Sequence, residues 1–131
     1  MPETVKSFRD LRVWQTAMEI VPAVYRLVRL LPQEERFALG DQIRRAAVSI
    51  PSNIAEGHAR RYTKEYLQHL SIARGSLAEL HTLLLLAEKL GYLQPQQVNP
   101  VENALQDLRM PLAGLMARLE EKGSRGKTHS S

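Results

Sequence analysis

The side chains able to do chemistry in this sequence are few and poorly placed for catalysis. Glu65 and His69 stand four apart, and Ser76 and His81 five apart, which puts the second pair on different faces of any helix. His58, His81 and His129 have no companion at metal-ligand spacing, and the Glu-x-x-His pairs of di-metal carboxylate bundles do not occur. For Glu65 and His69, a hydrogen-bonded surface pair is the better expectation. There is no cysteine, which removes disulfides, thiolate nucleophiles and cysteine-ligated metals together. No glycine loop offers a phosphate cradle. The sequence therefore predicts no enzyme, no metal and no cofactor.

What remains is charge. The chain carries 18 Lys and Arg against 14 Asp and Glu, a net +4, which favours acidic partners such as nucleic acid. Arg44, Arg45, Arg60, Arg61 and Lys64 are the candidate phosphate contacts, with Asp41, Glu56 and Glu65 as competing ion-pair partners. Arg74, between Leu70 and Leu77, reads as a partly buried structural arginine. Between these cations a polar line, Gln42, Arg45, Ser49, Asn53, Glu56 and Arg60, recurs at steps of three and four. Ser49 and Asn53 are expected to act structurally, satisfying backbone groups near Pro51. Few aromatics are available to stack bases, so binding would be through phosphates and without sequence preference.

The elements that must position these residues are helical. Aromatic residues are 5% of the chain, and apolar residues recur at helical spacing in four segments. The first carries Leu11, Trp14, Met18, Val21, Tyr25 and Val28 as its main seam, widened by Ala17, Val24 and Leu31, with Val13, Ile20 and Leu27 as a second line. The second carries Leu39, Ile43, Ala47, Ile50 and Ile54. The third opens with Thr63 as N-cap, carries Leu70, Leu77, Leu80 and Leu84, and closes at Gly91. The fourth carries Val98, Val101, Leu105, Leu108, Leu112, Leu115 and Leu119; Asn99-Pro100-Val101-Glu102 reads as N-cap, N1 proline and capping-box glutamate, so its regular part is expected to begin there, after an irregular turn started by Pro95. Helices are expected over about 10–31, 34–58, 63–90 and 95–122, after an N-terminal arm of 1–9 and before a disordered basic tail of 123–131. The apolar phase passes through Pro22, Pro51 and Pro111 without slipping, so kinked but continuous helices are expected there. The fold class is all-α, an antiparallel up-down-up-down four-helix bundle.

Two features exceed what one bundle needs. Leu83-Leu84-Leu85-Leu86 points around a whole helix, and the second line on the first helix needs its own cover. Both predict a homo-oligomer. Ser71, Gly75, Ala78 and Thr82 form a line of small residues that suits either a tight contact inside the bundle or the close approach of another backbone. No apolar run reaches the roughly 20 residues that cross a bilayer, and Met1-Pro2-Glu3-Thr4-Val5-Lys6 lacks the core of a signal peptide. No membrane association and a cytoplasmic location are expected.

Phe8-Arg9-Asp10-Leu11-Arg12-Val13-Trp14-Gln15, the long run Gln42 to Gly57, Gly75-Ser76-Leu77-Ala78-Glu79-Leu80 and Leu90-Gly91-Tyr92-Leu93 occur in that order. Over about Phe8 to Leu93 the sequence thereby resembles the family named for open reading frames in intervening sequences of bacterial large-subunit ribosomal RNA genes. The last helix matches by pattern only. The resemblance implies a four-helix protomer and a ring-like homopentamer. It also implies kinship with the accessory protein of diversity-generating retroelements, whose basic pentameric surface binds nucleic acid and a reverse transcriptase. The reading that results is a non-enzymatic, homo-oligomeric accessory protein that binds RNA or DNA without sequence specificity. A protein scaffold or adaptor that binds no nucleic acid is the alternative.

Overall fold

The computed structural model describes residues 6–129, with side chains through 124; the expectations for residues 1–5 and 130–131 lie outside the described residues. A 3-10 turn, Phe8–Asp10, leads into α1 (Arg12–Val28), a single turn α2 (Gln33–Arg36), and the long helices α3 (Leu39–His58), α4 (Thr63–Lys89) and α5 (Pro95–His129). Consecutive long helices pack on each other, and α5 returns to pack on α1. The described chain is an all-α bundle of four long helices.

Direction follows from length. A helix of 27 residues spans about 40 Å, and neither short connection, 59–62 or 90–94, can recross that distance. The side-chain pairs agree: Ser49 meets Ser76, Asn53 meets His69 and Gly57 meets Tyr66, so numbers rise on α3 as they fall on α4. His81 with Glu102 and Thr63 with Gly123 say the same of α4 and α5.

Helix ends follow local chemistry. α4 closes in a Schellman motif: Gly91, at φ 81°, donates its N–H to Glu88 O, and Tyr92 N–H reaches Ala87 O. Pro95 opens α5 as N1, while Gln97 Oε1 accepts from Gln94 N–H at 2.8 Å. The capping sequence at Asn99 is therefore unused, and Glu102 is turned to His81 instead. α3 is continuous through Pro51, as are α1 through Pro22 and α5 through Pro111, as the unbroken apolar phase predicts.

Several expectations are corrected. Phe8–Asp10, expected in the arm, is ordered by a capping box between Ser7 and Asp10, and Phe8 packs edge-to-face on Trp14 at 5.1 Å. The helix expected over 34–58 is two, because α2 ends at Arg36 and Ala38 leaves helical geometry (φ −115°, ψ −91°) before α3 begins. The break is held by arginines: Arg36 donates to Leu31 O and Arg29 O beyond the end of α1, and Arg44 donates to Arg36 O at the end of α2. α4 starts with Thr63 inside it, Tyr62 as N-cap and no side-chain cap. α5 runs on to His129 where a disordered tail is expected from Gly123, since extending an existing helix is far easier than nucleating one.

Burial divides the stripe expected for α1, keeping Ala17, Val24, Val28 and Leu31 in the core and turning the larger side chains outward. Val13, Ala17, Ile20, Val24, Leu27 and Val28 are its core face, whereas Met18 and Tyr25 are exposed and Trp14 and Val21 half-buried. The stripe with the largest side chains sits at the rim, and the compact residues fill the space between α3 and α5. The leucine run divides: Leu83 and Leu84 are buried, Leu85 and Leu86 exposed. α4 also contains an 18-residue stretch of mean hydropathy 1.3, long and apolar enough by composition to cross a bilayer, contrary to expectation. In the bundle its Leu70, Ala73, Leu77, Leu80, Leu84 and Ala87 line the core.

α3 and α4 pack tightly at Gly57, where an added Cβ would lie 2.8 Å from His69 Cβ and 3.2 Å from Tyr66 O. Gly57→Ala should therefore lower the urea midpoint, because overpacking of about 1–3 kcal/mol outweighs the gain in helix propensity of roughly 1 kcal/mol. An unchanged or higher midpoint would show that the two helices are not held this close.

Candidate nucleic-acid interface

The polar line on α3 does not face solvent along its length. Gln42 and Arg45 are exposed, but Ser49 and Asn53 are half-buried against α4. Ser76 Oγ, the one buried polar side chain among the described residues, donates to Ser49 Oγ at 2.7 Å. Asn53 Nδ2 donates to Ser49 O at 2.9 Å and Ser49 Oγ at 3.0 Å, and Asn53 Oδ1 faces His69 Nδ1 at 3.1 Å. Arg60 Nε reaches His69 Nε2 at 3.3 Å, and the exposed Glu56 carboxylate lies 3.5 Å from His69 Nδ1. A hydrogen-bonded chain thus runs from the middle of the α3–α4 contact out to its end. The carbonyl that Asn53 satisfies is that of Ser49, not the Ala47 carbonyl that Pro51 leaves without its helical partner. His69 turns to α3 rather than pairing with Glu65.

The five candidate cations fall into two groups. Arg44 and Arg60 are separated by about 24 Å of helix axis. Arg44 is half-buried and committed: it pairs with Asp41, donates to Arg36 O, and lies 6.0 and 5.9 Å from the ring centres of Tyr25 and Phe37. It shapes the α2–α3 corner and is a poor phosphate ligand. Arg45 is exposed midway along α3, and its side chain makes no hydrogen bond or ion pair among the described residues.

Arg60, Arg61 and Lys64 converge at the α3–α4 turn, all exposed, with Arg61 5.7 Å from the Tyr62 ring centre. The antiparallel order brings other segments to this end. The approach to α1 supplies Lys6 and Arg9, and the end of α5 supplies Arg118 and Lys122, against Asp10, Glu56, Glu65, Glu120 and Glu121. Asp10 already accepts from the Lys6 and Ser7 N–H groups. The uncapped start of α4 opens at the same end, so its first N–H groups and helix dipole add to the positive field. Sequence reasoning missed Lys6, Arg9, Arg118 and Lys122. The signal was the alternation of helix direction, which sets the start of the first helix, the second turn and the end of the fourth side by side.

Arg74 is exposed, not partly buried, and its side chain has no hydrogen bond or ion pair among the described residues. Ser71, Gly75, Ala78 and Thr82 are exposed around it, and nothing lies within 4 Å of a Cβ built on Gly75, so this line makes no tight contact inside the bundle. On the opposite side, Trp14, Met18, Val21, Pro22, Val48, Pro51 and Ala55 line an apolar groove between α1 and α3. His81 and Glu102 form a half-buried pair at 2.9 Å between α4 and α5. Among the described residues no three His, Asp or Glu side chains gather as a metal site would require. Burial pushes the Tyr66 hydroxyl above its usual titration range, and that atom is enclosed with no hydrogen-bond partner.

The family model for the 23S rRNA-intervening sequence protein matches residues 9–114. None of the curated proteins matches the chain. A crystal structure of a protein of unknown function from the S23 ribosomal protein family of Bacteroides thetaiotaomicron VPI-5482 is similar in fold, with a TM-score of 0.74 and 22% identity over 79% of this chain and 97% of that chain.

Ser49→Ala leaves the buried Ser76 hydroxyl without its acceptor and should cost about 1–3 kcal/mol in chemical denaturation, whereas removing both hydroxyls together should cost less than the single change. A double variant weaker than Ser49→Ala alone would mean that the two serines do not share this bond.

Proposed function

The chain belongs to the 23S rRNA-intervening sequence protein family, and from that premise we propose that it is a non-enzymatic, homo-oligomeric accessory protein of the cytoplasm that binds RNA or DNA through phosphates. The observation that carries this reading is the gathering of Arg60, Arg61 and Lys64 with the ends of α1 and α5 at one pole of the bundle. Scattered through the sequence these cations are unremarkable; placed together at an open helix N-terminus they form a surface suited to a polyanion. Neither a recognition helix nor a stacking platform accompanies them, so affinity comes without base readout. Each pole is a weak site, and an oligomer would multiply it by avidity.

Self-association is supported by only part of the residues that first suggested it, together with others. Val13, Ile20, Leu27, Leu83 and Leu84 are consumed inside the protomer, while the α1–α3 groove and Leu85, Leu86, Ile72 and Leu90 on α4 remain exposed. Two unlike apolar faces on one protomer suit a front-to-back contact, the kind that closes into rings. The alternative, a protein scaffold without nucleic-acid binding, draws on the open small-residue line of α4.

Light scattering should give a mass several times the 14.9 kDa of one chain at micromolar concentration. Met18→Glu combined with Val48→Glu, both at exposed positions of α1 and α3, should lower that mass without loss of helical circular dichroism. A parent protein of single-chain mass refutes the assembly.

Replacing Arg60, Arg61 and Lys64 with glutamine should weaken binding to single- and double-stranded probes alike and flatten the dependence of log affinity on log salt by about one unit per lost phosphate contact. The oligomer should persist. Unchanged binding across a salt series would place the site elsewhere, and a parent that binds no probe would leave the scaffold reading.

A further inference from the structure

The contacts of His69 allow only one protonation state of its ring. A carbonyl cannot donate, so the 2.9 Å contact with Ser49 O fixes which end of the Asn53 amide is Nδ2 and leaves Oδ1 facing the ring. That oxygen only accepts, and His69 Nδ1, 3.1 Å away, must carry the proton. On the far side of the ring Arg60 Nε only donates, so Nε2, 3.3 Å away, must offer a lone pair. The ring is the neutral Nδ1–H tautomer, held from inside by α3 and itself holding Arg60.

We propose that His69 is a proton-operated latch on Arg60. Protonation at Nε2 turns the acceptor into a donor and sets two cations against each other. The Arg60 side chain then leaves the ring for solvent at the basic pole, where the imidazolium adds its own charge. The groups that face the ring from α3 are Asn53, Glu56 and Arg60; on α4 Glu65 and Tyr66 precede it by one turn, and no hydrogen bond or ion pair from α1 or α5 reaches it among the described residues. Glu56, 3.5 Å from Nδ1, is the carboxylate that favours the charged ring, and Arg60 is the cation that opposes it. The sign follows: the latch is closed while the ring is neutral and open once it is protonated, so acid opens it. The consequence for binding rests on the nucleic-acid reading of the pole, whereas the latch itself does not. Where that reading holds, acidification strengthens phosphate binding.

Two measurements on the full chain test this. Nitrogen-15 NMR should find Nε2 of His69 unprotonated at pH 8, and the Arg60 Nε–H signal should change with the same midpoint as the ring on acidification. Glu56→Gln should move that midpoint to lower pH, since it removes the carboxylate that favours the imidazolium. In fluorescence anisotropy with a short single-stranded oligonucleotide, the parent should bind more tightly at pH 5.5 than at pH 8, with a salt slope steeper by about 0.7 for one phosphate gained. His69→Gln should abolish both changes, and His58→Gln, at the neighbouring half-buried histidine, should keep them. A neutral ring protonated at Nε2, an Arg60 signal that ignores the ring's titration, or a pH response surviving in His69→Gln overturns the latch. A parent that binds no oligonucleotide at any pH sinks the nucleic-acid reading alone, and the NMR midpoints then decide the latch.

Discussion

The separation of α3 and α4 at Gly57 governs the rest of this structure. With His69 Cβ 2.8 Å and the Tyr66 ring 2.9 Å from where a Cβ would stand, the two backbones meet as closely as side chains permit. That contact pins the end of α3 to the start of α4 and leaves only the four residues 59–62 to turn the chain. A short turn between antiparallel helices must be exposed, and this one carries Arg60, Arg61 and, at the second residue of α4, Lys64. The cations are gathered because the backbones are close, not because they attract one another.

A contact this tight could slide, and the polar chain beside it opposes sliding. Leucines on facing helices can exchange partners after a shift of one turn at modest cost, but Ser76, Ser49 and Asn53 can satisfy their donors and acceptors in one register only. Shifting α4 along α3 would leave the Ser76 hydroxyl buried and unpaired, which costs more than the bond itself contributes. The network therefore works as an alignment device. It also ends at the surface, so the register that orders the core orders Arg60 as well.

Much of this was legible in the sequence, and the failures have physical causes. Gly91 announced a left-handed helix end and the seven-residue apolar rhythm of α5 gave its buried face, whereas Pro100 was expected as N1 and Pro95 takes that place. The centre of the buried face of α1 differs from the expected one because two apolar stripes lie one residue apart, and side-chain size favours Trp14, Met18 and Tyr25 over Val13, Ile20 and Leu27. Space inside the bundle decides the opposite way, and size alone carries no information about space. Arg44 and Arg45, adjacent in sequence, look equivalent as phosphate ligands. A helix sends neighbours about 100° apart, so Arg44 meets Asp41, the Arg36 carbonyl and two aromatic rings while Arg45 meets water.

The same contrast explains why net charge is a poor guide to this surface. Arg36 and Arg44 spend their donors on carbonyls at the C-terminal ends of α1 and α2, at the corner between α1 and α3. Those charges are spent on architecture and contribute little to a partner's attraction. At the opposite pole the start of α4 has no side-chain cap at all, so its N–H groups and the turn cations stay available to an incoming anion. The starts of α2 and α3 lack side-chain caps as well, so the two ends differ in what their cations do rather than in capping. At the corner Arg36 and Arg44 are bound to carbonyls and Asp41, whereas at the α3–α4 turn Arg61 and Lys64 stay exposed, and a partner carrying phosphates would meet that end first.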